Sequence, residues 1–298
     1  MTLLQLSYFV TLAENLHYTK TAEMLHISQP SLSYAIGEME KDLGVKLFQK
    51  EKGGVSLSEY GREFFPYAQK ALETLERGRS VLAEMSSQTE AVIRWGYFHS
   101  VSASLIPALI RDFHAAPTGA NVRFQLTEDS VQRLFAQLYN GDLDLCFTCH
   151  RESWAVSEPV AQQPLYLVLP NTHPLAENSY VTLEDFAAVP QIMLTQGSDL
   201  RLQLDQFYRE NGVSPRIAYE TRECNAALQY VALGFGAAVL PEVPVMNRDN
   251  LCVLPILTPE GRELSRKIYL SYHKSRPLSP AAREFVDFIL RRLTPTEG

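Results

Sequence analysis

The chain has 298 residues, 46% of them hydrophobic and 20% charged, with a formal net charge of −7. This is an ordinary globular balance on a chain too long for one small domain, so two or three units are expected. No apolar run reaches about 18 residues, which excludes a membrane span, and the acidic balance argues mildly against DNA binding, where cations supply most of the backbone affinity.

The first element is an amphipathic helix with Leu6, Phe9, Val10 and Ala13 on one face. It carries no cationic leader or cleavage site, so a cytoplasmic protein is expected. A short helix with Ala22 and Leu25 then ends near His26. A second follows almost at once, with Ser28 placed as its cap and Pro30 in its first turn, where a missing N–H does no harm. Leu32, Ile36, Met39 and Leu43 recur at steps of four, three and four and share one face, while Gln29, Ser31, Ser33 and Tyr34 lie opposite. Two helices joined by a tight turn, the second polar at its start, make a helix-turn-helix able to enter a major groove. Taken alone, the same pattern fits a helical hairpin in a core. Gly44 then ends the helix in a left-handed turn. Val45 to Lys50, Gly53-Gly54 and Val55 to Leu57 read as a hairpin or wing, with Lys50 and Lys52 at its tip within reach of phosphates.

These residues resemble the winged helix-turn-helix of the LysR-type transcriptional regulators. The resemblance rests on Phe9, Ala22, Leu25, the run from Ser28 to Ser33 (S-Q-P-S-L-S), Glu40, Leu43-Gly44, Leu47-Phe48 and Gly61, and extends over essentially the whole chain. It implies double-stranded DNA as a partner, contacted by Gln29, Pro30, Ser31, Ser33, Tyr34, Lys50 and Lys52. Tyr34 stands where the family usually has Arg, and Ala35 and Gly37 replace polar or basic groups, which bears on the DNA sequence read. Residues 1–65 hold six cations against eight acids. A single module should therefore bind weakly.

A coupler follows. Phe64, Ala68, Ala71, Leu75, Gly78, Leu82 and Met85 alternate at steps of four and three, a heptad seam, with Glu73, Glu76, Arg77, Arg79 and Glu84 on the other faces. Ser58 is placed to cap this helix, and Pro66 sits early enough to kink it without breaking it. The seam fits packing on its own domain or, better, a dimerising linker. Two linked modules gain effective concentration and would read an inverted repeat with half-sites about one turn, ~34 Å, apart.

Ser86 to Thr89 break the pattern and mark a hinge. The rest alternates strand and helix: strand Val92–Phe98, helix Ser104–Ala115, strand Val122–Thr127, helix Val131–Asn140 and strand Leu143–Thr148, an order that predicts a parallel sheet covered on both faces. A second series begins after Pro164, with strands at Tyr166–Leu169, Gln191–Leu194, Arg216–Tyr219 and Ala237–Leu240. Its helices lie around Leu183–Ala187, from Leu200 to Asn211 and over Ala226–Leu233. Strand Lys267–Tyr272 and helix Ser279–Leu293 close the chain. Strand-like crossings near Gln163–Leu169 and Leu264–Tyr272 mean one subdomain inserted in another. That resembles the LysR effector domain, two α/β lobes around a cleft as in periplasmic binding proteins.

Ligands in such sheets sit beyond the carboxyl ends of strands, near helix N-termini. Ser100, Ser102, Thr127 and Thr148 follow lobe I strands, and Gln196, Gly197 and Ser198 follow a lobe II strand and open a helix, so these seven are the candidate effector contacts for a small polar ligand. Each serine or threonine is as easily a helix cap. Arg201 and Arg222 can pair with a carboxylate but read as solvated surface, while Glu128 disfavours an anion. Cys146-Phe147-Thr148-Cys149-His150 matches a C-x-x-C-H pattern, but residues three apart on a strand face opposite ways, so the thiols read as core and no metal is expected. No cysteine lies between Cys149 and Cys224, which argues against the cysteine-pair peroxide sensing of some LysR-type proteins. No P-loop, G-x-S-x-G, H-E-x-x-H or G-x-G-x-x-G occurs, so neither enzyme nor cofactor is expected.

The reading is therefore a mixed α/β regulator. Residues 1–58 form a winged helix-turn-helix, 59–88 a dimerising linker helix and 89–298 a two-lobed effector domain (lobe I 89–163 and 269–298, lobe II 164–268). A homotetramer is expected by resemblance. The alternatives are a two-lobed small-molecule binding protein or an enzyme with an accessory helix-turn-helix.

Overall fold

The structure, a computed structural model, describes residues 1–51, 54–86, 90–102, 105–119, 121–243 and 246–293. Lys52 at the expected wing tip, Ser87 to Thr89 of the expected hinge and the expected helix start at Ser104 lie outside them, and the side chains of Glu84 and Met85 are not described. The chain divides into two compact units, Met1–Thr89 and Glu90–Gly298.

In the first unit, α1 (Leu3–Asn15) starts at a capping box in which the Gln5 N–H donates to the Thr2 hydroxyl at 3.2 Å and Gln5 Oε1 accepts the Thr2 N–H at 2.8 Å. Next come α2 (Tyr18–Met24) and α3 (Gln29–Leu43). Ser28 caps α3, accepting the Ser31 N–H at 3.2 Å, and Gly44 ends it at φ 71°. Leu32, Ile36 and Met39 are buried against Phe9 and Leu47, as their spacing predicts. Leu43 is the exception on that face, 37% exposed at the end of the helix. The wing is the antiparallel pair β1 (Phe48–Glu51) and β2 (Gly54–Leu57), with Phe48 opposite Leu57. Then α4 runs unbroken from Glu59–Met85 through Pro66.

Two residues of the family pattern have clear physical work here. Glu40 is 7% exposed, and one carboxylate oxygen accepts the N–H groups of Leu47 at 2.8 Å and Phe48 at 3.2 Å, while Lys46 Nζ donates to the other at 2.6 Å. It ties the wing to the recognition helix. Gly61 sits where an added Cβ would lie 2.0 Å from the Leu47 carbonyl oxygen, so no larger residue fits. Glu40→Ala strands two buried N–H donors. It should lower the stability of this unit by about 1–3 kcal/mol, read as a shifted denaturant midpoint with unchanged slope.

The second unit opens with β3 (Ala91–Tyr97), a one-turn α5 (His99–Ser102), α6 (Leu105–His114), β4 (Val122–Glu128), α7 (Val131–Asn140) and β5 (Leu145–Thr148). The 16-residue β6 (Ala155–Pro170) carries the chain into the second lobe. There follow β7 (Val181–Thr182), α8 (Leu183–Phe186), β8 (Gln191–Leu194), α9 (Asp199–Glu210), β9 (Ile217–Thr221), α10 (Cys224–Ala232), β10 (Ala238–Pro241) and β11 (Leu251–Leu257). The chain returns on β12 (Ser265–His273) and ends in α11 (Pro280–Leu293).

The main sheet runs β4-β3-β5-β12-β6-β11-β7, with β10 also on β6. Its β4-β3-β5 part is parallel, as the β-α-β-α-β order predicts. β12 lies antiparallel between β5 and β6, and its pairing with β6 extends from His273↔Ala155 to Ser265↔Pro164. β8 and β9 form a small parallel sheet in lobe II. Lobe I closes around Trp95, whose ring meets Phe285 edge-on at 5.0 Å and Phe147 at 5.2 Å. Lobe II buries Leu167, Phe186, Ile192, Leu228, Val231 and Ile256. The early half of β6 and all of β11 do not appear in the sequence reading. Ile268 packs in the lobe I core. Among the described residues, no helix is long and apolar enough to cross a membrane.

Candidate functional site

The start of α3 is open to solvent. Its inner face is buried, while Gln29, Pro30, Ser31, Ser33 and Tyr34 are exposed, Tyr34 at 72%. Ser31 Oγ is 2.7 Å from Ser28 Oγ, so its hydroxyl is shared with the cap. Lys50 is exposed on the wing, opposite Val55.

On α4, Ala68 is buried in the N-terminal core. Further along the same seam, Leu75 is 47% exposed and Leu82 67%. Among the described residues, these two leucines of the heptad stripe stay open to solvent. The charged faces are bridged along the helix, by Lys70 to Glu73 at 3.5 Å and Arg79 to Glu76 at 3.3 Å.

In the second unit, a 220 Å³ cavity opens between the lobes, lined by residues of both. Ser100 comes from lobe I and Ser198 from lobe II, and both line it. The other five expected effector residues are placed differently. The Ser102 hydroxyl donates to the His99 carbonyl at 2.7 Å, turned back on its own turn. Thr148 is fully buried, donating to the His150 carbonyl at 3.0 Å and lying 2.9 Å from Ser271 Oγ. Thr127 is half-buried, while Gln196 and Gly197 are exposed, and none of the three lines this cavity. Ser198 doubles as the α9 cap, its Oγ accepting the Arg201 N–H at 3.1 Å.

The residue that sequence reasoning missed is Arg266, on β12. It is 6% exposed and lines the cavity. Its Nε donates to Gln163 Oε1 at 2.8 Å, a terminal nitrogen donates to the Ser100 hydroxyl, and its guanidinium lies 4.9 Å over the Phe98 ring. Burial pulls its pKa below the ordinary value, against the upward pull of Cys149, Cys224 and Asp199 nearby. A buried guanidinium carries five donors, and Gln163 and Ser100 take two. Arg222 also lines the cavity. Glu128, which argued against an anion, is engaged by His99 Nδ1 at 2.7 Å. Asp129 likewise accepts the Ser130 N–H at 2.8 Å.

Arg201 corrects an expectation. It is not on a solvated surface but 5% exposed, donating to the Leu194 carbonyl at 2.9 Å and pairing with Asp205 at 2.9 Å and with Glu220. It anchors α9 to the small sheet.

Asp199, the first residue of α9, crosses the cleft. Its Oδ2 accepts the Val131 N–H at 2.9 Å, so a lobe II carboxylate satisfies the start of a lobe I helix whose own Ser130 makes no side-chain cap bond. The Cys149 thiol is pushed up to about 12 by burial, with the Asp199 carboxylate acting the same way. Burial alone raises Cys146.

Comparison with known proteins agrees with this anatomy. Residues 3–62 match the family described as bacterial regulatory helix-turn-helix protein, lysR family, and residues 86–294 match the LysR substrate binding domain. The HTH-type transcriptional regulator YybE of Bacillus subtilis (strain 168) is 31% identical over 291 residues, covering 96% of this chain and 97% of the relative. The effector binding domain of QuiR, solved in complex with shikimate, is 26% identical with a TM-score of 0.64, covering 69% of this chain and 98% of that one. Full-length CbnR, solved with its target DNA, shares the fold at a TM-score of 0.71 and 23% identity, covering 98% of this chain and 99% of that one. The chain belongs to the LysR family of bacterial transcriptional regulators.

Proposed function

We propose that this regulator reads an inverted-repeat operator as a homo-oligomer in the cytoplasm and is switched by a small molecule held between the lobes of its second unit. The observation that carries the reading is the pairing, in one chain, of an exposed polar helix start with a two-lobed cavity built on a buried arginine. Gln29, Ser33 and Tyr34 face outward to base edges. Pro30 and Ser31 form the first turn, and Lys50, with Lys52 beyond it in sequence, meets phosphates. QuiR, bound to shikimate, supports a ligand in the effector domain. The ligand is polar with an anionic group set on Arg266 and Ser100, near Ser198 and Arg222. The α4 seam pairs two chains, and two dimers make the tetramer expected by resemblance. Ligand binding shifts the oligomer between two arrangements that hold the DNA modules at different spacing.

The docking is tested by two substitutions. Gln29→Ala should relax preference at one base pair, a change of about 1–3 kcal/mol. Lys50→Ala should weaken all sequences alike and flatten the salt dependence by roughly one unit. Binding titrations at several fixed salt concentrations separate the two. Unchanged preference in Gln29→Ala would overturn this orientation of α3.

A further inference from the structure

The C-x-x-C-H segment has no part in the reading above, yet the fold gives its last two residues a third companion. The ligand atoms of Cys149, His150 and Asp199 all lie within 4.8 Å of one another. We propose that these three side chains form a site for a zinc-class divalent metal ion, bridging the two lobes.

The donor set points to that class. Thiolate, imidazole and carboxylate together suit a borderline-soft ion of tetrahedral preference, and three protein ligands leave a fourth position for water. Magnesium and calcium prefer oxygen donors. The ligands are also oriented. Thr148 donates to the His150 carbonyl at 3.0 Å, fixing the chain at the end of β5. Asp199 is placed by the capped start of α9, and the Val131 N–H at 2.9 Å holds Oδ2, leaving its other oxygen for an ion. The His150 ring packs 5.1 Å from Phe135, which orients it, and Glu152 lies 3.9 Å from its Nε2 as a further nearby carboxylate.

Arg266 is the opposing charge, close to both Cys149 and Asp199. A thiolate and a carboxylate carry two negative charges against its one, so a dication still gains. Binding releases the Cys149 thiol proton to solvent as the metal–sulfur bond forms. Cys146 takes no part, being fully buried on the strand, where a Cβ added at Gly96 would lie 3.1 Å from its own Cβ. The two thiols of the motif therefore do not share an ion, and the second and third ligands come from the next residue and from the other lobe.

The test uses full-length protein titrated with cobalt(II), whose thiolate complexes show near-ultraviolet charge-transfer bands and visible bands when tetrahedral. One equivalent per chain should produce both, and zinc(II) should displace it. Cys149→Ser should abolish the charge-transfer band. Asp199→Asn and His150→Gln should each weaken binding by more than about tenfold, since losing a ligand exceeds losing its outer partner. Cys146→Ser and Cys224→Ser should leave the spectrum intact. Circular dichroism confirms that each variant is folded. No band in the wild-type protein, or a band that survives Cys149→Ser, overturns the site. Metal uptake by the free protein is independent of operator binding, so this proposal and the regulatory reading fail separately.

Discussion

Leu75→Asp combined with Leu82→Asp should split the α4 pairing and halve the mass of the full-length oligomer. Leu75 is 47% exposed and Leu82 67% in the single chain, on the stripe that also carries Ala71 and Gly78. Covering each leucine contributes up to about 1.5–3 kcal/mol, and a two-fold pairing of α4 covers four of them. Carboxylates there lose that burial and place like charges face to face. Sedimentation velocity reads the outcome as a halved oligomer mass. Operator affinity should fall by about 10²–10⁴ at the same salt, because each module then binds without its linked partner. An oligomer of unchanged mass would show that α4 pairs through another face.

Arg266→Met should remove the response to anionic ligands while leaving the protein folded. Methionine matches the length of the buried stem, and the nearby Asp199 carboxylate keeps its Val131 N–H bond. The Ser100 hydroxyl already lies 3.4 Å from Gln163 Oε1, so the two polar partners of Arg266 keep each other. Hydrogen bonds to a charged group are worth about 1.5–3 kcal/mol, so affinity for a carboxylate ligand should drop by roughly 10–150-fold. A thermal-shift panel of small carboxylates on the full-length wild type and variant decides it. A carboxylate that stabilises both proteins equally would place the anion anchor elsewhere.

Local chemistry was the legible part of this chain. Ser28, Pro30 and Gly44 bound the recognition helix at the expected ends, and Val131–Asn140 and Gln191–Leu194 stand where periodicity and glycine stops place them. These signals act within a turn or two of the residue that carries them. β11 was missed because Pro255 breaks its pattern, although the residue is accommodated opposite Tyr166. Pro159 and Pro164 obscured the first half of β6 in the same way. Arg266 falls on the same alternating face as the buried Ile268 and Leu270, but its charge argues for the surface, and the pairing of β12 with β6 and the approach of Phe98 cover it. Ser102 and Thr148 have the right chemistry for a ligand, but their own neighbourhoods take up their hydroxyls. Arg201 carried a usable signal, since Asp205 lies four residues on in the same helix. Its carbonyl partner Leu194 and its approach to Glu220 come from the fold.

The insertion of lobe II into lobe I sets an order on biosynthesis. Lobe II is drawn from one continuous stretch and can close as soon as it leaves the ribosome. Lobe I cannot, because β12 completes the middle of its sheet and Phe285 of α11 sits 5.0 Å from Trp95 and 4.8 Å from Phe113. Its aromatic core therefore waits, open to water, until α11 is made. A nascent chain stalled short of α11 would carry a finished lobe II on an unfinished lobe I, with Trp95 and Phe113 available to chaperones and proteases.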